Sequence, residues 1–193
     1  QISDEWLIRD NGAVVRQMGY DPKDWARGKV ESGAGAPFTP AVDIEGPYHG
    51  RGNDNAWGQA YGDILTLMMS AEFSIIPQQY DRACHLEYPS GQSAHGWGAA
   101  DAFWIGLRAS FPSAKFEIHH QIGMEEALMP PRAAIRWSLT GTHSGWGTFG
   151  APSGAEVHVM GICHAEFGPR GLRREWALLD ETAIWMQIIA HTG

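Results

Sequence analysis

The sequence predicts an α+β fold built on an antiparallel sheet, and three observations lead there. Helix-patterned segments come first, strand-patterned segments with short connections follow, and a helical pattern closes the chain. Consecutive strands joined by short turns pair antiparallel, and such a sheet must bury one face against the helices. The 193 residues, 44% hydrophobic and 19% charged, suffice for one full core with a partial unit beside it.

Residues 53–69 read as a helix, because Trp57, Tyr61, Ile64, Leu65 and Met68 recur at helical spacing behind Asn53 or Asn55 as cap. Residues 71–79 make a short helix ended by Pro77. A short strand over 82–88 and a turn over 89–92 come next. A second amphipathic helix, 99–110, carries Phe103, Trp104 and Leu107 and stops before Phe111-Pro112. Strand patterns then cover 114–122, 133–142 and 156–167. Gly168-Pro169-Arg170-Gly171 turns the chain into a last strand, 172–179, and the terminal helix runs over 181–190.

The start of the chain echoes its end. Aligned without gaps, residues 2–18 and 172–188 share Glu5/Glu175, Trp6/Trp176, Asp10/Asp180, Ala13/Ala183 and Gln17/Gln187, with Ile2 opposite Leu172. Each copy reads as a short strand followed by a helix. Residues 1–27 are therefore expected to be the last strand and helix of a preceding related unit, and 53–193 the whole of a second one. Between them, 28–52 holds Ser32-Gly33-Ala34-Gly35-Ala36-Pro37 and reads as a Gly/Pro-rich linker, or alternatively a lid over a pocket. Beginning at Gln1 rather than Met, the chain reads as a fragment or processed product of a tandem protein.

A net charge of −8 argues against a nucleic-acid partner, since phosphate binding needs clustered cations. No run approaches the ~18 apolar residues that a spanning helix needs, so no membrane role is expected. Cys84 and Cys163 are the only cysteines, lie beside apolar residues and form no CxxC. They are expected to be buried free thiols, compatible with a reducing cytoplasm.

Four groups of residues then resemble a known family: Ala109-Ser110-Phe111-Pro112; Gly141-Thr142-His143-Ser144-Gly145; Gly150-Ala151-Pro152-Ser153-Gly154; and Arg174-Glu175-Trp176 with Asp180 and Gln187. In their order and spacing they resemble the SnoaL-like polyketide cyclases, of the nuclear-transport-factor-like superfamily, over roughly 53–193. The resemblance implies a cystatin-like cone: a curved antiparallel sheet wrapped around helices as an α+β barrel, enclosing an apolar cavity and closed by a C-terminal helix. It also implies a homodimer formed through the open sheet face. The Gly168–Gly171 hairpin and the richness in Trp and His depart from the family's usual pattern.

In these cyclases an acidic residue on or just after the last strand acts as acid/base, aided by a histidine on a neighbouring strand. Carried onto this sequence, the acid is Asp180 and the helper His164. Glu175 is the rival acid, of opposite strand parity to Asp180. Each has a plainer reading: Asp180 as a helix cap like Asp10, Glu175 in a structural ion pair, His164 as a core histidine. His143 serves either the chemistry or the glycine-rich turn around it. His119 and His120 are adjacent, which places one imidazole on each sheet face. Trp104, Trp137, Trp146 and Trp176, with His120, are the pocket candidates for an aromatic or polyketide-like ligand, core packing being the alternative. His164-Ala165-Glu166 and His158 share a parity but lack a third converging ligand, so neither a metal nor another cofactor is expected. The leading function is a small-molecule enzyme using acid/base chemistry for cyclisation, isomerisation, dehydration or hydrolysis. A non-catalytic ligand-binding or dimerising domain of the same fold is the alternative.

Overall fold

A computed structural model describes residues 5–35, 37–42, 44 and 46–193. Ile2 of the echo and Ala36 of the linker run lie outside the described residues. The elements are α1 (Asn11–Gln17), α2 (Pro22–Glu31), a 3-10 turn (Pro40–Val42), α3 (Ala56–Met69), α4 (Ile75–Gln79), β1 (Tyr80–Tyr88), β2 (Gln92–His95), α5 (Trp97–Ser110), β3 (Lys115–Met124), β4 (Arg132–Thr142), β5 (Glu156–Gly168), β6 (Gly171–Leu179) and α6 (Glu181–Thr192). Asn55 caps α3 by accepting from the Trp57 N–H, as the sequence predicts. Pro77 sits inside the first turn of α4 rather than ending it, where its missing N–H costs no hydrogen bond. Two elements were not legible as such. α2 opens at Asp21-Pro22, a cap followed by proline at the first position, and β2 starts at Gln92 within the expected turn.

The six strands form one sheet in the order β2-β1-β6-β5-β4-β3, wrapped around α3 and α5. Neighbours from β6 to β3 pair antiparallel, as expected, but β1 runs parallel to β6. Those two strands are joined by the whole intervening chain, so no tight turn constrains their direction. The inward face is clearest on β5, where Val157, Val159, Gly161, Cys163, Ala165 and Phe167 alternate with outward residues. Trp104 and Trp137 are fully buried and fill the space between sheet and helices. Cys84 and Cys163 are buried free thiols, matching the sequence reading.

The echoed segments share their caps. Asp10 accepts from the Ala13 N–H at the start of α1, and Asp180 accepts from the Thr182 and Ala183 N–H groups at the start of α6. Residues 5–10 carry no strand. The two helix starts meet: Asn11 Nδ2 donates to Asp180 Oδ2 at 2.6 Å, and Arg16 pairs with Glu181 at 3.1 Å. Gln187 braces α6 to β5 through both the N–H and the carbonyl of His158. Beyond α2, the segment lies along the outer sheet face, with Phe38 against His158 and Tyr48 bonded to His120.

Candidate functional site

β6 places Leu172, Glu175, Ala177 and Leu179 inward and Arg174, Trp176 and Leu178 outward. Glu175 is thereby driven into the core, where it has no exposure to solvent. Its Oε1 accepts from the Tyr61 hydroxyl at 2.8 Å and the Tyr80 hydroxyl at 2.7 Å. Its Oε2 accepts from the Tyr88 hydroxyl at 2.6 Å and the Trp104 indole N–H at 3.3 Å. The partners are neutral donors from α3, β1 and α5; among the described residues no cation pairs with this carboxylate.

Burial without a cation pushes the Glu175 carboxyl above the usual carboxylate range, and the four donors counter it only in part. The same burial, with the carboxylate alongside, raises the Tyr61, Tyr80 and Tyr88 phenols. It also pushes the Cys84 thiol up to about 11 and raises Cys163, whose sulfur accepts from the Trp137 indole at 3.1 Å. The centre of the fold is thus a proton-rich cluster in a low-dielectric setting, which favours the protonated form of its carboxyl group.

Tyr88 links this cluster to the outside. It ends β1, at the same end of the sheet as Leu179, and lines a cleft of about 390 Å³. The cleft's apolar wall is Tyr88 stacked on Phe103 at 4.1 Å, together with Leu107, Phe149 and Leu179. Its polar rim includes Arg16, Ser90 and Glu181, with Ser90 hydrogen-bonded to Glu181. Gly12 of α1 packs so closely on Ser90 and Glu181 that an added Cβ would strike both. The N-terminal helix therefore forms part of the cleft wall.

The other residues singled out from sequence lie apart from this cluster. Asp180 caps α6, with Oδ1 also accepting from the Thr182 hydroxyl at 2.6 Å. His164 is on the outer face. His143 is buried beside Phe111, bonds Ser153 Oγ through Nδ1 at 2.9 Å and holds the loop after β4 by backbone bonds to Ala155, Ser153 and Gly154. Burial lowers its imidazole below the usual range. Trp104 and Trp137 reach the cluster, while Trp146 is exposed. A bulge between Ile118 and His120 resets the β3 register, so His119, bonded to Ser138, and His120, opposite Arg136, both face outward. Simple alternation had separated them. The site residues that sequence reasoning missed are Tyr61, read only as part of a helix face, and Tyr80 and Tyr88, which the pairing of β1 with β6 brings to Glu175. Among the described residues, no three His, Cys, Asp or Glu side chains converge as metal ligands do.

On the outer face, Ile122, Met124, Ala134, Ile162, Trp176 and Leu178 line an apolar trough of about 590 Å³, with His164 at its middle. Next to it, Trp6 covers Arg136, ring over guanidinium at 3.8 Å. No helix among the described residues is long and apolar enough to cross a membrane.

Comparison with solved structures gives the same fold. A candidate SnoaL-like polyketide cyclase from Jannaschia sp. CCS1 is 16% identical with a TM-score of 0.57, covering 72% of this chain and 97% of its own. IdmH, a candidate polyketide cyclase from Streptomyces antibioticus, is 12% identical with a TM-score of 0.55, covering 69% and 99%. AclR, a candidate hydroxylase from Streptomyces galilaeus, is 16% identical with a TM-score of 0.51, covering 68% and 86%. At these identities the likeness concerns the fold alone. Curated proteins return no match. The family model described as SnoaL-like polyketide cyclase matches residues 59–188, a span that holds β1 to β6, the Glu175 cluster and most of the cleft. This chain belongs to the SnoaL-like polyketide cyclase family.

Proposed function

We propose that the protein binds a partly apolar, aromatic or polyketide-like small molecule in the cleft beside Tyr88 and acts on it by acid/base chemistry centred on Glu175. The observation that carries this is a carboxylate buried without a cation and joined through one phenol to a cleft of ligand size. Proton removal beside a ligand carbonyl would be concerted. The Tyr88 oxygen takes the proton while its own passes to Glu175, so the phenol never stands as a free anion. Cyclisation, isomerisation, dehydration and hydrolysis all share that kind of step. Asp180, His164 and His143 have structural partners or lie elsewhere, and we assign them no role in it.

A second reading is favoured by the four donors around Glu175, which occupy the lone pairs a base would use. Under it the protein binds a ligand without transforming it. Ligand-observed NMR against a panel of bicyclic and tricyclic phenolic ketones separates the outcomes. At least one compound should bind wild type and be excluded by Ala102→Trp, which fills the cleft from the exposed side of α5. Binding that ignores Ala102→Trp sinks the cleft assignment. Conversion of the bound compound by wild type but not by Tyr88→Phe supports catalysis; its recovery unchanged from both supports the second reading.

We also infer that two copies pair through the outer trough, where Ile122, Met124 and Trp176 are 40%, 39% and 37% exposed. Light scattering should give twice the chain mass for wild type and the single mass for Trp176→Glu. A monomeric wild type would refute the pairing.

A further inference from the structure

At the sheet edge away from β3, on the same outer face, three arginines and two histidines gather around a recess of about 620 Å³. Cross-strand register builds it. His95 on β2 lies opposite His85 on β1, their rings stacked at 4.8 Å, and His85 lies beside Arg174 on β6. The β5–β6 register slips between Glu166 and Phe167, so Glu166 faces Arg174, Phe167 faces Leu172, and Arg173 is the extra residue. Regular alternation would send Arg173 and Arg174 to opposite faces. The bulge lets both line one recess. Arg170, from the Gly168–Gly171 hairpin, completes the group.

The charges around it are unevenly matched. Arg170 is held by Asp81 at 3.0 Å, and Asp81 also accepts from the Ala83 N–H, which fixes that pair at the rim. Arg174 lies 3.9 Å from Glu166, too far for a hydrogen bond, and leans over Trp176. His85 contacts Glu87 at 2.8 Å. Arg173 has neither an ion pair nor a hydrogen bond among the described residues. The lining thus presents three guanidinium groups and one carboxylate, Asp81, with Glu166 and Glu87 lying behind Arg174 and His85, in a chain whose overall charge is −8. Guanidinium groups gathered in one recess repel one another, and an anion seated between them relieves that repulsion.

We propose that this recess is a binding site for a small phosphate-bearing anion, such as a phosphomonoester or diphosphate. Guanidinium groups pair N–H donors with two oxygens at once, and a phosphate offers three oxygens and up to two charges where a carboxylate offers two oxygens and one. The recess has room for a phosphorylated small molecule and sits on the opposite sheet face from Glu175, so it is independent of the acid/base site.

Inorganic pyrophosphate is the probe. In 150 mM NaCl, titration calorimetry should show saturable binding near one per chain, and the His85 and His95 ring signals should shift along the same isotherm. Arg173→Ala should weaken binding roughly tenfold, as expected for loss of a charge-assisted bidentate contact. Lys115→Ala, an exposed cation at the far edge of the sheet, should leave it unchanged. Acetate at matched ionic strength should give no saturable shift. Equal affinity in wild type and Arg173→Ala, or equal weakening by Lys115→Ala, would overturn the site. Arg173 is exposed, so an unchanged unfolding midpoint will establish that the variant is folded.

Discussion

Glu175→Ala is expected to destabilise the fold by about 3–4 kcal/mol, because it strands three phenols and an indole N–H in the core. Denaturant melts at neutral pH would measure it. Glu175→Gln keeps the shape but offers one acceptor oxygen where four donors converge, and should cost less. The pH dependence of that Gln variant is the sharper result. The folded carboxyl lies above its ordinary value of about 4.3. As pH rises from there, the unfolded chain releases this proton first, while the folded chain still holds it. Wild type therefore loses stability between the ordinary value and the raised one. Glutamine does not titrate. The deficit of Glu175→Gln should be greatest at low pH and shrink toward neutrality. A deficit that grows with pH would mean the hydrogen bonds, not burial, dominate the carboxylate.

Gly161→Ala should be strongly damaging although it adds a single carbon. Gly161 lies opposite Trp137 across β4 and β5, and a Cβ there would fall 2.0 Å from the Trp137 ring carbons. The ring cannot retreat: it is fully buried, packs against Trp104 and Phe116, and donates to Cys163. Overpacking of this kind costs about 2–3 kcal/mol, read as a lowered denaturation midpoint. Trp137→Leu in the Gly161→Ala background should recover part of that loss although it is damaging alone. Strict additivity would show that the clash is relieved elsewhere. The pair also explains how two tryptophans fit inside the sheet: a glycine on the neighbouring strand makes the room.

Where local pattern dictates structure, the sequence is a good guide. The β4–β5–β6 meander follows from alternation and from the Gly168–Gly171 turn, and α3, α5 and α6 follow from helical spacing and caps. Bulges defeat that logic. Alternation separates His119 from His120 and Arg173 from Arg174, yet one inserted residue in each strand places both members on the exposed side. The site suffers from a different obstacle. Parity identifies Glu175 as inward if Asp180 is not, and the Asp10/Asp180 echo points to capping for the latter. Nothing local reveals that Tyr61, Tyr80, Tyr88 and Trp104 converge on it, since they come from three elements joined only by long-range pairing. The β1–β6 contact that unites them is parallel and spans most of the domain.

At the centre of the proposed chemistry is a carboxyl group buried from solvent and, among the described residues, unpaired with any cation, coupled to the cleft by one phenol. Infrared difference spectra of wild type against Glu175→Gln, titrated with acid, address it directly. A protonated carboxyl band should persist above the ordinary glutamate range, vanish in Glu175→Gln and move in Tyr88→Phe. A band that titrates near 4.3 and ignores Tyr88→Phe would contradict the account.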